Sequence, residues 1–202
     1  VKNFISLYKN VLSRENCKRI IDWFEENPQH HHKGVLGDSE LNLKKKKSTD
    51  LSLGLQSLKA PILQPLDIGL STCLDQYEEE YDFLKEVSIW GMEEYFIIKR
   101  YYPKEGYYVK HCENTGLLRS EKRMLVWMLY LNDVDDGGGT AFPTQELEIQ
   151  ARCGDVVIWP AYWTHPHHGI VSPTQTKYIA SGWFIFKKTD NYNDIGNKLT
   201  PI

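Results

Sequence analysis

The sequence predicts a mostly β fold, a double-stranded β-helix (a cupin-like jelly roll of two sheets) with a helical flank. Three observations carry it. Helical periodicity, with apolar residues stepping by three or four, is confined to the part of the chain before Tyr95. From Tyr95 onward the period shifts towards two, in about eight short runs rich in β-branched and aromatic residues. Turn signals separate those runs, above all Gly137-Gly138-Gly139 and Gly154-Asp155. Many short strands closed by such turns fit a jelly roll.

In chain order, Phe4 to Leu12 reads as an apolar strand running into a turn. Ser13 is a helix cap for a helix over Arg14 to Asn27, with Cys17, Ile20, Ile21 and Phe24 as its apolar stripe and Pro28 as its end. From Gln29 the chain turns polar, with His30, His31 and His32 and then Lys44 to Lys47. A surface connection or lid over 29–60 is expected there, with a phosphate-binding role the weaker alternative. A second helix is expected from Pro61 to Leu84, through Leu66, Leu70, Leu74, Tyr77 and Tyr81, and Pro65 fits its first turn. The strands expected are Tyr95–Tyr102, Gly106–Cys112, Met124–Leu131, Thr140–Phe142, Leu147–Ile149, Val156–Trp159, Gly169–Val171 and Tyr178–Lys187. Trp127, Trp159, Phe184 and Phe186 are assigned to packing. The chain reads as one domain over 1–202: a helical flank over 1–94, a jelly-roll core over 95–187, and a polar tail over 188–202.

A length of 202 residues suits one domain with a sizeable core. The net charge of −3 gives no overall basic footprint, so nucleic acid is not favoured as a partner. No apolar run approaches the roughly 18 residues of a membrane span, and Val1-Lys2-Asn3-Phe4 is not a signal peptide. Cys17, Cys73, Cys112 and Cys153 form no CxxC pair, which points to reduced thiols and a cytoplasmic location. Nothing in the sequence sets an oligomeric state.

The chemistry-bearing segment is His111-Cys112-Glu113. Residues i and i+2 of a strand share a face, so His111 and Glu113 can address one ion. The stretch from Trp159 to Gly169 holds His165, His167 and His168, and one of these can supply a second imidazole from a distant strand. Two imidazoles and one carboxylate are the ligand face that suits non-haem Fe(II), with positions left open for oxygen chemistry. An HxE alone is weak evidence, because a lone histidine usually serves structure. Lys177 adds weight. A lysine in an apolar strand commonly reaches for solvent, but one turned into a barrel is a buried cation that needs an anion. A dicarboxylic acid fits, one end on the metal and the other on Lys177, with Thr140 and Tyr130 as hydrogen-bond donors to the far carboxylate. Ferrous ion, one ligand carboxylate and a dianion leave one negative charge, which Lys177 neutralises.

The ordered blocks Arg100-Tyr101-Tyr102-Pro103, Gly106-Tyr107-Tyr108, His111-Cys112-Glu113-Asn114, Leu129-Tyr130-Leu131-Asn132-Asp133, Gly138-Gly139-Thr140-Ala141-Phe142-Pro143, Gly154-Asp155-Val156-Val157-Ile158-Trp159-Pro160 and His167-His168-Gly169 through Lys177 to Trp183 resemble the 2-oxoglutarate- and Fe(II)-dependent dioxygenases. The branch resembled is the prolyl 4-hydroxylase-like oxygenases of bacteria and marine viruses, over about residues 95–187. The resemblance implies that His111, Glu113 and His167 bind Fe(II), and it prefers His167 to His165. It implies that Lys177 anchors 2-oxoglutarate, with Thr140, Tyr130 and Tyr101 (ranked above Tyr107) and Trp183 around the cosubstrate. Arg123 and Asp133 are candidates for supporting contacts or for surface ion pairs. The family more often has aspartate where this chain has Glu113, a reach longer by about 1.5 Å. The implied activity is hydroxylation of a prolyl residue in a peptide or protein, with release of succinate and CO2 and with ascorbate as reductant, in the cytoplasm of a bacterium or an infected host cell. Tyr108, Tyr162 and Trp163 are expected at the mouth. Hydroxylation of another side chain or a small metabolite, nucleic-acid dealkylation, and a metal-binding module without catalysis remain alternatives.

Overall fold

The structure, a computed structural model, describes residues 2–36 and 40–187. The tail expected over 188–202 lies outside the described residues. The chain opens with β1 (Ser6–Tyr8), shorter than expected because Phe4 and Asn10, at φ 59° and 54°, bend the backbone on either side. Ser13 caps α1 (Arg14–Glu25) through its hydroxyl, which accepts the Asn16 N–H at 3.2 Å. Then follow β2 (His32–Lys33), β3 (Thr49–Gly54) and α2 (Gln64–Glu80), with Pro65 in the first turn of α2. Next come β4 (Trp90–Met92), β5 (Tyr95–Tyr101), β6 (Arg123–Tyr130) and β7 (Thr140–Phe142). The chain continues through β8 (Leu147–Ile149), β9 (Val156–Pro160), β10 (His168–Gly169) and β11 (Lys177–Phe186). No helix among the described residues is long and apolar enough to cross a membrane.

The strands form an antiparallel sheet in the order β1-β9-β6-β11-β5-β3-β2, with β4 also paired to β11, and a small second sheet, β10-β7-β8. Each central strand is buried on both faces, and alternation sorts its side chains. In β6, Leu125, Trp127 and Leu129 pack with Ile20 and Phe24 of α1 and Leu66, Leu70 and Tyr77 of α2. Val126, Met128 and Tyr130 point the other way, into a second cluster with Phe142, Ile149, Trp159, Ile179 and Trp183 between the sheets. The flank therefore stabilises the back of the large sheet, and the site occupies the front. Trp127, Trp159 and Phe184 are buried as expected, and Phe186 packs at the edge of the first cluster.

Two expectations are corrected. Gly106–Cys112 forms no regular strand. Its partners are split between two segments: Tyr108 N–H bonds to Lys45 and His111 N–H to His167, so no single ladder forms. The 29–60 segment is not a mere surface connection, since it contributes β2 and β3 to the large sheet. Its alternation was hidden because the inward residues are polar. Asp50 is buried, paired with Lys46 at 2.9 Å and with Ser48 at 2.6 Å.

Candidate metal centre and anion pocket

The front face holds a cavity of about 310 Å³, enough for a small ligand. At one end, His111, Glu113 and His167 offer ligand atoms that all lie within 4.8 Å of one another. An antiparallel bridge between His111 and His167 ties the two segments together. Glu113 Oε1 lies 3.4 Å from His111 Nε2 and 3.6 Å from His167 Nε2. The opposite ring nitrogens fix the tautomers. His111 Nδ1 lies 3.0 Å from the Val109 carbonyl and His167 Nδ1 lies 3.1 Å from the His165 carbonyl. A carbonyl only accepts, so each Nδ1 carries the proton and each Nε2 presents its lone pair to the centre.

Burial pushes the Glu113 carboxyl up, but its contacts with His111 and His167 outweigh it and hold it well below the usual carboxylate range. Burial, then the neighbouring His167, depresses the His111 imidazole against the pull of Glu113. An ionised carboxylate beside neutral imidazoles is the protonation state that a divalent cation requires. The second oxygen of Glu113 is spoken for. Oε2 accepts the Trp183 indole N–H at 3.0 Å and faces Arg123 Nη1 at 3.4 Å. Arg123 itself is buried, donating to Glu93 at 3.2 Å and to the Tyr95 hydroxyl at 2.8 Å, with its guanidinium 3.6 Å from the Trp183 ring centre. The added methylene of glutamate thus brings one oxygen to the imidazoles while the other stays tethered.

His165 is directed elsewhere: its ring nitrogens meet the Asn3 carbonyl at 2.8 Å and the Thr164 hydroxyl at 2.9 Å. Asp133 lies far from the centre, in an exposed pair with Arg14 at 2.6 Å. Tyr108, Tyr162 and Trp163 do not line the cavity.

At the other end, Lys177 is 8% exposed, and its ammonium donates to the Gly138 carbonyl at 2.7 Å. Gly138 adopts φ +74°, a conformation that suits glycine and turns that carbonyl inward. The Tyr130 and Thr140 hydroxyls, 2.7 Å apart, share one hydrogen bond. The Tyr101 and Tyr130 ring centres lie 5.4 and 5.8 Å from Lys177 Nζ. Burial, then the charge of Lys99, pushes the Lys177 ammonium down to about 8. Tyr107 instead stacks on His111, with ring centres 3.6 Å apart. Trp183, expected beside the cosubstrate, has its N–H on the Glu113 carboxylate.

Residues 96–185 match the sequence model of the 2OG-Fe(II) oxygenase superfamily. Over this segment the chain is similar to the 2OG-Fe(II) oxygenases. That superfamily's cofactors are Fe(II) and 2-oxoglutarate, and the two-histidine, one-carboxylate donor set together with a buried ammonium fits both. Among curated proteins, a probable prolyl 4-hydroxylase 3 of Arabidopsis thaliana is 23% identical over 193 residues, covering 83% of this chain. The chain spans 61% of the length of that relative. Among solved structures, a viral collagen prolyl hydroxylase from Paramecium Bursaria Chlorella virus-1, in its 2OG complex, aligns with a TM-score of 0.69 at 17% identity. That alignment covers 91% of this chain and 97% of the viral one. A prolyl hydroxylase from Trichoplax adhaerens, bound to a hypoxia inducible factor peptide fragment, aligns at 0.71 with 14% identity, covering 91% and 84%. These structures share the fold of this chain.

Sequence reasoning passed over Lys99, Glu93 and Tyr95. Lys99 was detectable: Tyr101, Lys99, Ile97 and Tyr95 alternate along one predicted strand, so a lysine shares the face of Tyr101.

Proposed function

We propose that this protein is a 2-oxoglutarate- and Fe(II)-dependent oxygenase that hydroxylates a prolyl residue in a peptide or protein, releasing succinate and CO2. The observation that carries the oxygenase reading is the convergence of His111, Glu113 and His167 in the same cavity as the buried ammonium of Lys177. The prolyl substrate is drawn from the relatives' own names and is the finer part of the proposal. Ascorbate is proposed as the external reductant that restores the ferrous state.

Fe(II) with 2-oxoglutarate supplies oxygen activation coupled to oxidative decarboxylation, and one oxygen atom goes to the substrate. The chain's own residues do the positioning. His111 and His167 hold the ion through Nε2 and Glu113 holds it through Oε1. The Val109 and His165 carbonyls lock the two rings, and Trp183 with Arg123 locks the carboxylate. Lys177 binds the far carboxylate of the cosubstrate, and Thr140 and Tyr130 direct their hydroxyls to it. Tyr101 and Ile179 wall this end from solvent.

Anaerobic reconstitution with Fe(II) and 2-oxoglutarate tests the class: a metal-to-ligand charge-transfer band is expected, and no band at saturating cosubstrate refutes it. A peptide panel scored by mass for the gain of one oxygen tests the substrate. A band without oxidation of any prolyl peptide leaves the class standing and removes the prolyl assignment.

A further inference from the structure

Lys99 lies on β5 between Ile97 and Tyr101 on the inward face, opposite Ile179 of β11 and Asp50 of β3. Its ammonium donates to the Ser181 hydroxyl at 2.8 Å and stands 6.0 Å from the Trp183 ring, the ring whose N–H holds Glu113. Among the described residues it has no ion-pair partner. Two other cations lining the cavity are neutralised within the protein: Lys46 by Asp50 at 2.9 Å, and Arg123 by Glu93 at 3.2 Å. Glu113 is committed to the imidazoles, Trp183 and Arg123. The charges of the proposed reactive complex also close without Lys99. Ferrous ion and Glu113 leave one positive charge, the cosubstrate brings two negative, and Lys177 restores neutrality. Lys99 is not needed for that balance, and it faces the cavity beside the metal centre. Lys99 is half-buried, and even a partly desolvated cation without a counter-ion is costly. Burial, and next the charge of Lys46, already pushes Lys99 down to about 8.

We propose that Lys99, with Ser181, is the recognition site for a carboxylate carried by the substrate. The proposal rests on the oxygenase reading and narrows its substrate class. The preferred substrate is an acid, such as a residue with a free α-carboxylate, rather than an internal residue flanked by neutral amides. The Lys99 ammonium pairs with that carboxylate while Ser181 donates its hydroxyl proton to the same group. Lys177 is left to the cosubstrate.

The test uses the full chain loaded with Zn(II) and N-oxalylglycine, an unreactive isostere of 2-oxoglutarate. N-acetyl amino acids and their amides, paired across all side chains, are titrated by ligand-observed NMR. One or more acids, N-acetyl-L-proline first, are expected to bind at least about tenfold more tightly than the matching amide, as a charge-assisted contact implies. Lys99→Met and Lys99→Gln are each expected to erase that preference while N-oxalylglycine affinity stays within about threefold of wild type. The proposal is overturned by equal binding of acid and amide, by no acid binding at all, or by a preference that survives both substitutions. It is also overturned if the two variants lose N-oxalylglycine instead, which would give Lys99 to the cosubstrate. Failure of the wild-type protein to bind N-oxalylglycine would remove the oxygenase reading itself, a result distinguishable from loss of the acid preference alone.

Discussion

Replacing Lys177 with methionine removes a buried cation and keeps most of the side-chain volume. In the ligand-free protein Nζ bonds to the Gly138 carbonyl at 2.7 Å and approaches Gly139 at 3.5 Å. Loss of those contacts costs about 1 kcal/mol, and relief of an uncompensated buried charge offsets it. The variant should therefore melt within about 2–4 °C of wild type. Cosubstrate binding should respond far more. A carboxylate delivered to this end would be left buried with only Thr140 and Tyr130 as donors. Removing one partner of such a pair costs about 2–5 kcal/mol, which is about 30-fold to several thousand-fold in Kd. The assay is titration of N-oxalylglycine into the Zn(II)-loaded protein by calorimetry, with Zn(II) affinity measured separately and expected to be unchanged. A Kd within about threefold of wild type, in a variant that folds and binds Zn(II), would refute the assignment of this ammonium.

Three further outcomes follow from the same geometry. Trp183→Phe keeps an aromatic ring but removes the indole N–H from Glu113, and Co(II) titration should show metal affinity reduced by about tenfold in a protein that still folds. His167→Ala should abolish stoichiometric Co(II) binding. His165→Ala should preserve it and cost about 1 kcal/mol of stability through the lost bond to the Asn3 carbonyl, and the reverse pattern would reassign the ligand. N-oxalylglycine affinity should fall as pH rises above about 8, because burial depresses the Lys177 ammonium to about that value and only its protonated form attracts the anion. The fall approaches tenfold per pH unit until the higher pKa of the complex is passed. A profile that is flat in wild type, or identical in Lys177→Met, would contradict it.

Much of the architecture was legible because periodicity is a local property. The stripe Cys17, Ile20 and Phe24 marks one face of α1, and the alternation through β6 sorts its residues between two clusters. β3 was not legible for the same reason. The pattern Thr49-Asp50-Leu51-Ser52-Leu53 alternates, but Asp50 and Ser52 line the cavity, and composition does not separate a cavity-lining polar face from a solvent-facing one. The missing 106–112 strand failed differently: its residues suit a strand, yet their backbone partners belong to two distant segments.

At the site, residue type and order alone nominated His111, Glu113, Lys177, Thr140 and Tyr130, because few side chains can bind a ferrous ion or neutralise a buried dianion. Tertiary structure separated His167 from its neighbour His165, two residues away, by giving the latter's ring nitrogens to Asn3 and Thr164. It also turned Trp183 and Arg123 onto Glu113 and, among the described residues, gave Lys99 a hydroxyl rather than a counter-ion. Such pairings depend on which atoms meet across strands far apart in sequence. Chemical capacity is a property of each residue, but the partner that satisfies it is chosen only when the chain closes around the cavity.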